Sequence, residues 1–164
     1  MDTSDVIAIL ALGVSVISAI CAVFVYFKGL KRERKQATLD AFNDLQAQVL
    51  DELAGFTPTA IRVITENRRK KDTKQQYNHI KTLIARIEHF AIGVEEKIYD
   101  YKTADKLAAE HLIYLYNKVS PIIEAARESA KGKHTYIHFE KLVNRLQASN
   151  PEIKLYHKNA KGES

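Results

Sequence analysis

The chain has 164 residues, with Lys plus Arg at 25, Asp plus Glu at 20 and a formal charge of +5. It has only 6 Gly, 3 Pro, 1 Cys and no Trp. One cysteine excludes a disulfide framework and a zinc site built on paired cysteines. So few Gly and Pro argue against a loop-rich all-β fold and against disorder.

Asp2 and Asp5 open the chain, and from Val6 to Phe27 no residue carries a charge. As a helix this stretch is roughly 33 Å long, enough to cross the hydrocarbon core of a bilayer. A secretory signal peptide starts with positive charge, but here the positive charges come afterwards, at Lys28, Lys31, Arg32, Arg34 and Lys35, against Glu33. That cluster is expected to stay in the cytoplasm, which puts the N-terminus outside. Tyr26 and Phe27 fall where an interfacial aromatic belt lies. Within the span Ala8, Ala11, Ser15, Ser18 and Ala22 recur at helical spacing and share one face. Small residues allow close helix approach, so this face is expected to join copies of the chain as a homo-oligomer, as a dry seam or around a narrow wet pore.

Beyond the membrane the periodicity is helical throughout. Leu39, Phe42, Gln46, Val49, Leu50, Leu53 and Phe56 form one stripe of a helix that continues from the span, with Gly29 as a bend point. Thr57-Pro58 ends it and starts a short helix carrying Ile61, Val63 and Ile64. Asp72-Thr73 reads as a turn or cap. Tyr77, Ile80, Ile84, Ile87, Ala91, Val94, Ile98 and Tyr101 predict one long amphipathic helix, widened by Leu83 and Phe90. Thr103 is placed to cap the next helix, with Leu107, Ala108, Leu112, Leu115, Val119, Ile122 and Ala126 on its apolar face. Ser120-Pro121 is expected to kink or divide that helix, and Gly132 to end it at the C′ position. A last helix is expected over 135–148 with Tyr136, Phe139, Leu142, Val143 and Leu146, closed by Asn150-Pro151.

The fold class is therefore all-α: an N-terminal transmembrane helix followed by a cytosolic helical bundle. The expected divisions are 1–5 as a short extracytoplasmic N-terminus, 6–27 as the span, 28–56 as a basic juxtamembrane segment and stalk, 57–148 as the bundle and 149–164 as a basic polar tail.

Motifs for catalysis are scarce. No Gly-rich loop cradles a phosphate, no serine sits in an elbow motif, and Cys21 falls inside the span. The expectation is a protein that is not an enzyme and carries no cofactor. His134 and His138 have metal-compatible i, i+4 spacing but lack the glutamate directly after the first histidine, so no metal is assigned. Glu88, Glu95, Glu96 and Asp100 follow the long helix as a solvated flank, unless Glu88 or Glu96 pairs with Arg127 of the neighbouring helix to fix register. Arg68, Arg69, Lys70, Lys71 and Lys74, against Asp72, form either a solvated loop or an anion-binding patch for nucleic acid, nucleotide or an acidic partner. Residues 131–164 are again net basic.

Arg86-Ile87-Glu88 through Ile98-Tyr99-Asp100, Ser120-Pro121-Ile122-Ile123 with Arg127, and Tyr136 with Phe139-Glu140-Lys141-Leu142 carry a resemblance. Across about residues 36–147 and the preceding span, the chain resembles a bacterial family of small single-span membrane proteins with a helical domain of unknown function. The resemblance implies Glu88, Pro121, Ile122 and Arg127 as matched positions and implies no enzyme. Some proteins of this kind look like membrane effectors of anti-phage defence, including those of Hailong-type systems, in which a nucleotidyltransferase makes a DNA oligomer that controls a membrane channel. The resulting expectation is an oligomeric inner-membrane effector that depolarises the cell under control of an anionic nucleotide or DNA-oligomer ligand. Its partners would be the lipid bilayer, its own copies and such a nucleotidyltransferase. The alternative is a membrane-tethered adaptor or scaffold that binds a protein partner without forming a pore.

Overall fold

The computed structural model describes residues 2–128, 132 and 134–153, and only the backbone of residues 5–11. The described residues hold helices and no strand. Helix α1 (Thr3–Leu45) runs through a single π-helical turn (Gln46–Leu50) into α2 (Asp51–Ala54). The π turn is closed by the Asp51 N–H donating to Gln46 O, and the backbone stays in the right-handed helical region on both sides. Thr3 to Ala54 is thus one continuous rod, roughly 78 Å long. Gly29 lies within α1 and introduces no break. The rod ends at Gly55, and Thr57 caps α3 (Pro58–Glu66) by accepting from Ala60 N at 3.1 Å, with Pro58 at the first helical position.

Helices α4 (Lys71–Glu95), α5 (Tyr101–Arg127) and α6 (Ile137–Ser149) complete the bundle. The contacts of the rod with α4 and the turn after it fix their direction. Thr38 meets Asp100, Phe42 packs on Phe90 with ring centroids 6.4 Å apart, Gln48 accepts from Arg86 at 2.6 Å, and Glu52 meets His79. As the rod leaves the span, α4 therefore runs back toward it. The C-terminal end of α4 and the start of α5 lie nearest the span, and the basic turn before α4 lies at the far end.

The core starts on the rod itself. Thr38, Phe42, Leu45, Val49, Leu50 and Leu53 are buried, so the bundle begins well before residue 57 and one face of the rod over 38–53 belongs to its core. Leu45 is buried beside the exposed Gln46, which accounts for the interruption in the apolar stripe. Two polar contacts pin the rod. The Thr38 hydroxyl, fully buried, donates to Arg34 O at 2.6 Å and accepts from Asp100 N at 2.7 Å. At the other end the Lys118 ammonium donates to Leu53 O at 2.9 Å and Ala54 O at 3.1 Å, covering the terminal carbonyls of α2. Burial lowers the pKa of that ammonium.

Several local expectations are corrected. The long helix stops at Glu95, and Ile98 lies in the following turn, exposed. Lys97 takes a left-handed conformation at φ 59°, and Tyr99 N donates to Gly93 O at 3.0 Å. Asp100, not Thr103, is the N-cap of α5: its carboxylate accepts from Thr103 N at 3.0 Å and Thr103 Oγ1 at 2.7 Å. Asp72-Thr73 lies inside the first turn of α4, whose cap position is Lys70. Pro121 does not divide α5, because the Ser120 hydroxyl donates at 3.0 Å to Asn117 O, the carbonyl that a residue-121 N–H would have served. Gly132 is not the C′ residue, since α5 already closes at Arg127. Val63 is exposed while Thr65 is buried, its hydroxyl donating to Ile61 O. The basic tail beyond Ile153, with Lys131 and Lys133, lies outside the described residues.

Candidate functional site

Three arrangements gather the residues singled out above. The first is the polar junction where α6 begins. Tyr136 precedes the helix in the left-handed region at φ 60° and offers no side-chain cap. A helix start leaves backbone N–H groups unpaired, so an acceptor must come from elsewhere. Glu88, from the middle of α4, supplies it: Oε1 accepts from His138 N at 3.1 Å and Oε2 from Phe139 N at 2.6 Å. A carboxylate here also faces the positive end of the α6 dipole. Arg127 approaches the same helix start from α5. It donates to Thr135 O at 2.9 Å and Tyr136 O at 3.4 Å, and pairs with Glu140 at 2.8 Å. The expected pairing of Glu88 or Glu96 with Arg127 is therefore not the one formed. Glu88 and Arg127 converge on α6 instead, one through its N–H groups and one through carbonyls, and Glu96 is exposed.

The junction has defined electrostatics. The buried Tyr136 hydroxyl donates to Lys81 O at 3.1 Å. Its pKa is pushed up to about 12 by burial, with Tyr77 and Glu88 adding to the effect. Burial also raises Tyr116, whose ring packs edge-on against Phe139 at 5.2 Å. Glu95 is lowered first by its hydrogen bond from His138 and then by Lys141 at 3.0 Å. His138 is thus committed to Glu95, and His134 sits exposed in the turn before α6. Among the described residues no group of three or more His, Cys, Asp or Glu side chains is arranged to hold a metal.

Two outcomes test the junction. Glu88→Ala is expected to cost about 1–2 kcal/mol, since two helix-terminal donors lose their acceptor. Glu88→Gln, which keeps one acceptor oxygen, should cost less, and urea unfolding of both variants in micelles reads the difference. For Tyr136 the raised pKa means the folded state holds the proton longer than the unfolded state. Its contribution is complete below about pH 10 and is lost as pH rises toward 12. Tyr136→Phe should be less stable than wild type by about 1 kcal/mol at pH 9. The gap should narrow as pH climbs above 10, and a gap that stays constant would contradict the assignment.

The second arrangement is the basic turn at the end of the bundle farthest from the span. Arg68 lies in the turn between α3 and α4, where its guanidinium donates to Thr65 O at 3.2 Å and pairs with Glu128 at 2.5 Å. That leaves Arg69, Lys70, Lys71 and Lys74 exposed around the first turn of α4. An open cleft of about 300 Å³ lies against Glu66, Asn67, Arg68, Arg69 and Lys70. A second, of about 370 Å³, includes Arg62, Glu124 and Glu128 in its lining, so acidic groups border the patch on the α5 side. Four of the five cations of the patch are thus exposed, with no ion pair among the described residues, while Arg68 ties the turn to α5.

The third is the candidate span. Leu12 to Phe27 is exposed along its whole length, and an 18-residue window reaches a mean hydropathy of 1.9 with none of it buried. One N-terminal helix is therefore long and apolar enough to cross a membrane. Ser15, Ser18 and Ala22 lie exposed on it, and the Ser18 hydroxyl donates to Val14 O at 2.8 Å within its own helix. The side chains of Ala8 and Ala11 are outside the described residues. At the C-terminal end of this stretch Lys28 Nζ sits 4.7 Å from the centroid of the Phe24 ring.

A family model described as a domain of unknown function, DUF4760, matches residues 9–146. The chain belongs to the DUF4760 family. The match takes in most of the span, the rod and the bundle through Leu146 of α6. No curated protein and no solved structure matches the chain. Sequence reasoning about this DUF4760 chain did not find Thr38, Lys118 or the capping role of Glu88. A lysine among the buried Leu115, Val119 and Ile122 was a signal for the second, and an α6 start with no capping residue was a signal for the third.

Proposed function

We propose that this chain is a non-enzymatic, oligomeric effector that crosses the bacterial inner membrane once, N-terminus out, with its bundle in the cytoplasm. In this reading the bundle receives an anionic nucleotide or DNA oligomer at the basic turn, and the spans respond by opening a depolarising, channel-like path. A nucleotidyltransferase would supply the ligand, as in Hailong-type anti-phage defence. One observation carries the reading: the apolar N-terminal stretch and the bundle share a single uninterrupted helix whose C-terminal part is pinned inside the core at Thr38 and by Lys118. A flexible tether would absorb motion of the bundle, whereas a continuous helix passes tilt or rotation to the spans. The exposed Ser15, Ser18 and Ala22 on one face of the span support assembly between copies, and the exposed Arg69, Lys70, Lys71 and Lys74 support anion capture.

The test uses the full chain in acidic proteoliposomes loaded with potassium, with a voltage-sensitive dye and a single-stranded DNA oligonucleotide as the probe ligand. The expected result is potassium flux whose size changes with the oligonucleotide. Gln at Arg69, Lys70, Lys71 and Lys74 should weaken oligonucleotide binding and flatten its salt dependence. Ala11→Leu with Ser15→Leu should change the number of chains per assembly. Liposomes that hold their gradient with and without oligonucleotide would refute the channel reading.

A further inference from the structure

Arg32 and Glu33 stand side by side on α1, both exposed, and their own helix offers neither of them an opposite charge. A helix brings residues three and four apart together. Those neighbours of Arg32 are Lys28, Gly29, Lys35 and Gln36, with no acid among them. Those of Glu33 are Gly29, Leu30, Gln36 and Ala37, with no base. Among the described residues neither side chain enters an ion pair or a hydrogen bond. The bundle does not cover them either: from Lys28 to Gln36 only Leu30 is partly buried, and the first buried residue of the rod is Thr38.

Because α1 is unbroken from Thr3 to Leu45, one helical phase relates the apolar stretch to the bundle. At about 100° per residue, the buried Thr38, Phe42 and Leu45 lie roughly 175° around the axis from Ser15, Ser18 and Ala22. The side of the rod that carries the small residues therefore points away from the bundle. Continued past the apolar stretch, it passes through Gly29, Glu33, Gln36 and Asp40, all exposed and each within about 35° of its centre. Gln36 Nε2 donates to Asp40 at 2.9 Å along this face, and Gly29 has nothing within 4 Å of where a Cβ would stand, so a second helix can come close. Lys31 and Lys35 turn the other way. The Asp100 carboxyl, held low first by its hydrogen bond from Thr103, also feels these two charges, which places them on the bundle side. Arg32 and Glu33 are left on opposite flanks of the uncovered face, roughly 75° to one side of its centre and 25° to the other.

We infer that this face of the rod packs against the same face of a second copy of the chain, parallel and in register, with Arg32 of one copy meeting Glu33 of the next. In a rotationally symmetric group of parallel rods, one flank of each copy meets the opposite flank of its neighbour. Residues 32 and 33 then stand at nearly the same height, about 1.5 Å apart along the axis. Each copy supplies the charge that the other lacks, and the bundles stay outside the contact. The inference rests on the oligomer reading above and carries the contact beyond the bilayer, where an ion pair selects register and direction.

The test uses the full chain in liposomes. In a Cys21→Ala background, chains with Arg32→Cys are mixed with chains with Glu33→Cys and treated with a short bismaleimide. Joined pairs of the two chains should form readily, whereas chains with Arg34→Cys, a position turned roughly 125° away from the centre of the face, should join far less. In cysteine-unmodified chains, energy transfer between N-terminally labelled copies reads association as lipid dilutes the protein. Arg32→Glu and Glu33→Arg should each weaken association by about fivefold or more, because each sets like charges against one another in every contact. The chain carrying both changes restores the pair in reverse and should associate like wild type, with helical circular dichroism unchanged throughout. Association that ignores both single reversals, with no joining of positions 32 and 33, overturns the inference and leaves the copies held by their spans alone. Single reversals that weaken association without rescue by the double change also overturn it. Chains that stay monomeric at every dilution overturn the oligomer reading and this inference with it.

Discussion

Phe139→Ala is expected to lower the unfolding free energy of the bundle by about 3–5 kcal/mol, the range for truncating a fully buried aromatic residue. Phe139 is completely buried on α6, its ring meets Tyr116 of α5 edge-on, and its own N–H is held by Glu88 of α4. One residue thus joins three helices by packing, ring contact and capping. Because α6 is short and reaches the rest of the bundle mainly through α4 and α5, the loss should appear first as local release of α6. Limited trypsin digestion of the full chain in micelles should then cut after Arg145 and Lys141 at times when wild type remains intact. A loss below about 1 kcal/mol would mean that α6 is held by other means.

Gly93→Val is expected to cost about 2–3 kcal/mol by overpacking, and its cause can be isolated. A Cβ built on Gly93 would meet the Tyr99 ring at 2.3 Å, so the ring lies directly over the helix backbone there. Any side chain at residue 93 must push Tyr99 off Phe90 and disturb the turn that Thr38 holds to the rod. Gly93→Ala should also be destabilising in the wild-type chain. In a Tyr99→Ala background the clash is gone and alanine's helix preference takes over, so the same change should stabilise by about 0.5–1 kcal/mol. Urea unfolding of the four chains forms a double-mutant cycle. Equal effects of Gly93→Ala in both backgrounds would show that Tyr99 is not the obstacle.

Much of the helical fold was legible because its signals are local. The stripe from Tyr77 to Val94 and the set Phe139, Leu142, Val143 and Leu146 are buried as their spacing predicts. The cap at Thr57-Pro58 is also where the sequence puts it. Reading failed where a residue's role is set by something distant. Spacing carries the stripe on to Ile98 and Tyr101 because it does not register the left-handed turn at Lys97 or the ring of Tyr99 over Gly93. Ser120-Pro121 reads as a break until the serine hydroxyl is seen to serve the carbonyl that proline leaves unpaired. Glu88 looks like a solvated acid, since the two N–H groups it binds are fifty residues away. The basic cluster at 68–74 was legible as charge, but not the commitment of Arg68 to Glu128.

The bundle holds the rod at two places. Thr38 and Lys118 hold it in the core, and the π turn carries it from α1 into α2 without a break. Mechanical continuity between span and bundle is therefore the physical claim on which the effector reading stands, and an adaptor merely tethered to the membrane does not need it.

The decisive measurement inserts a flexible Gly/Ser linker after Gly29, which lies exposed in α1 between the span and the buried part of the rod and has nothing within 4 Å of where a Cβ would stand. Bundle stability, membrane insertion and oligonucleotide binding should survive, while oligonucleotide-dependent potassium flux in proteoliposomes should be lost. Flux that responds to the oligonucleotide as in the unmodified chain would contradict coupling through α1.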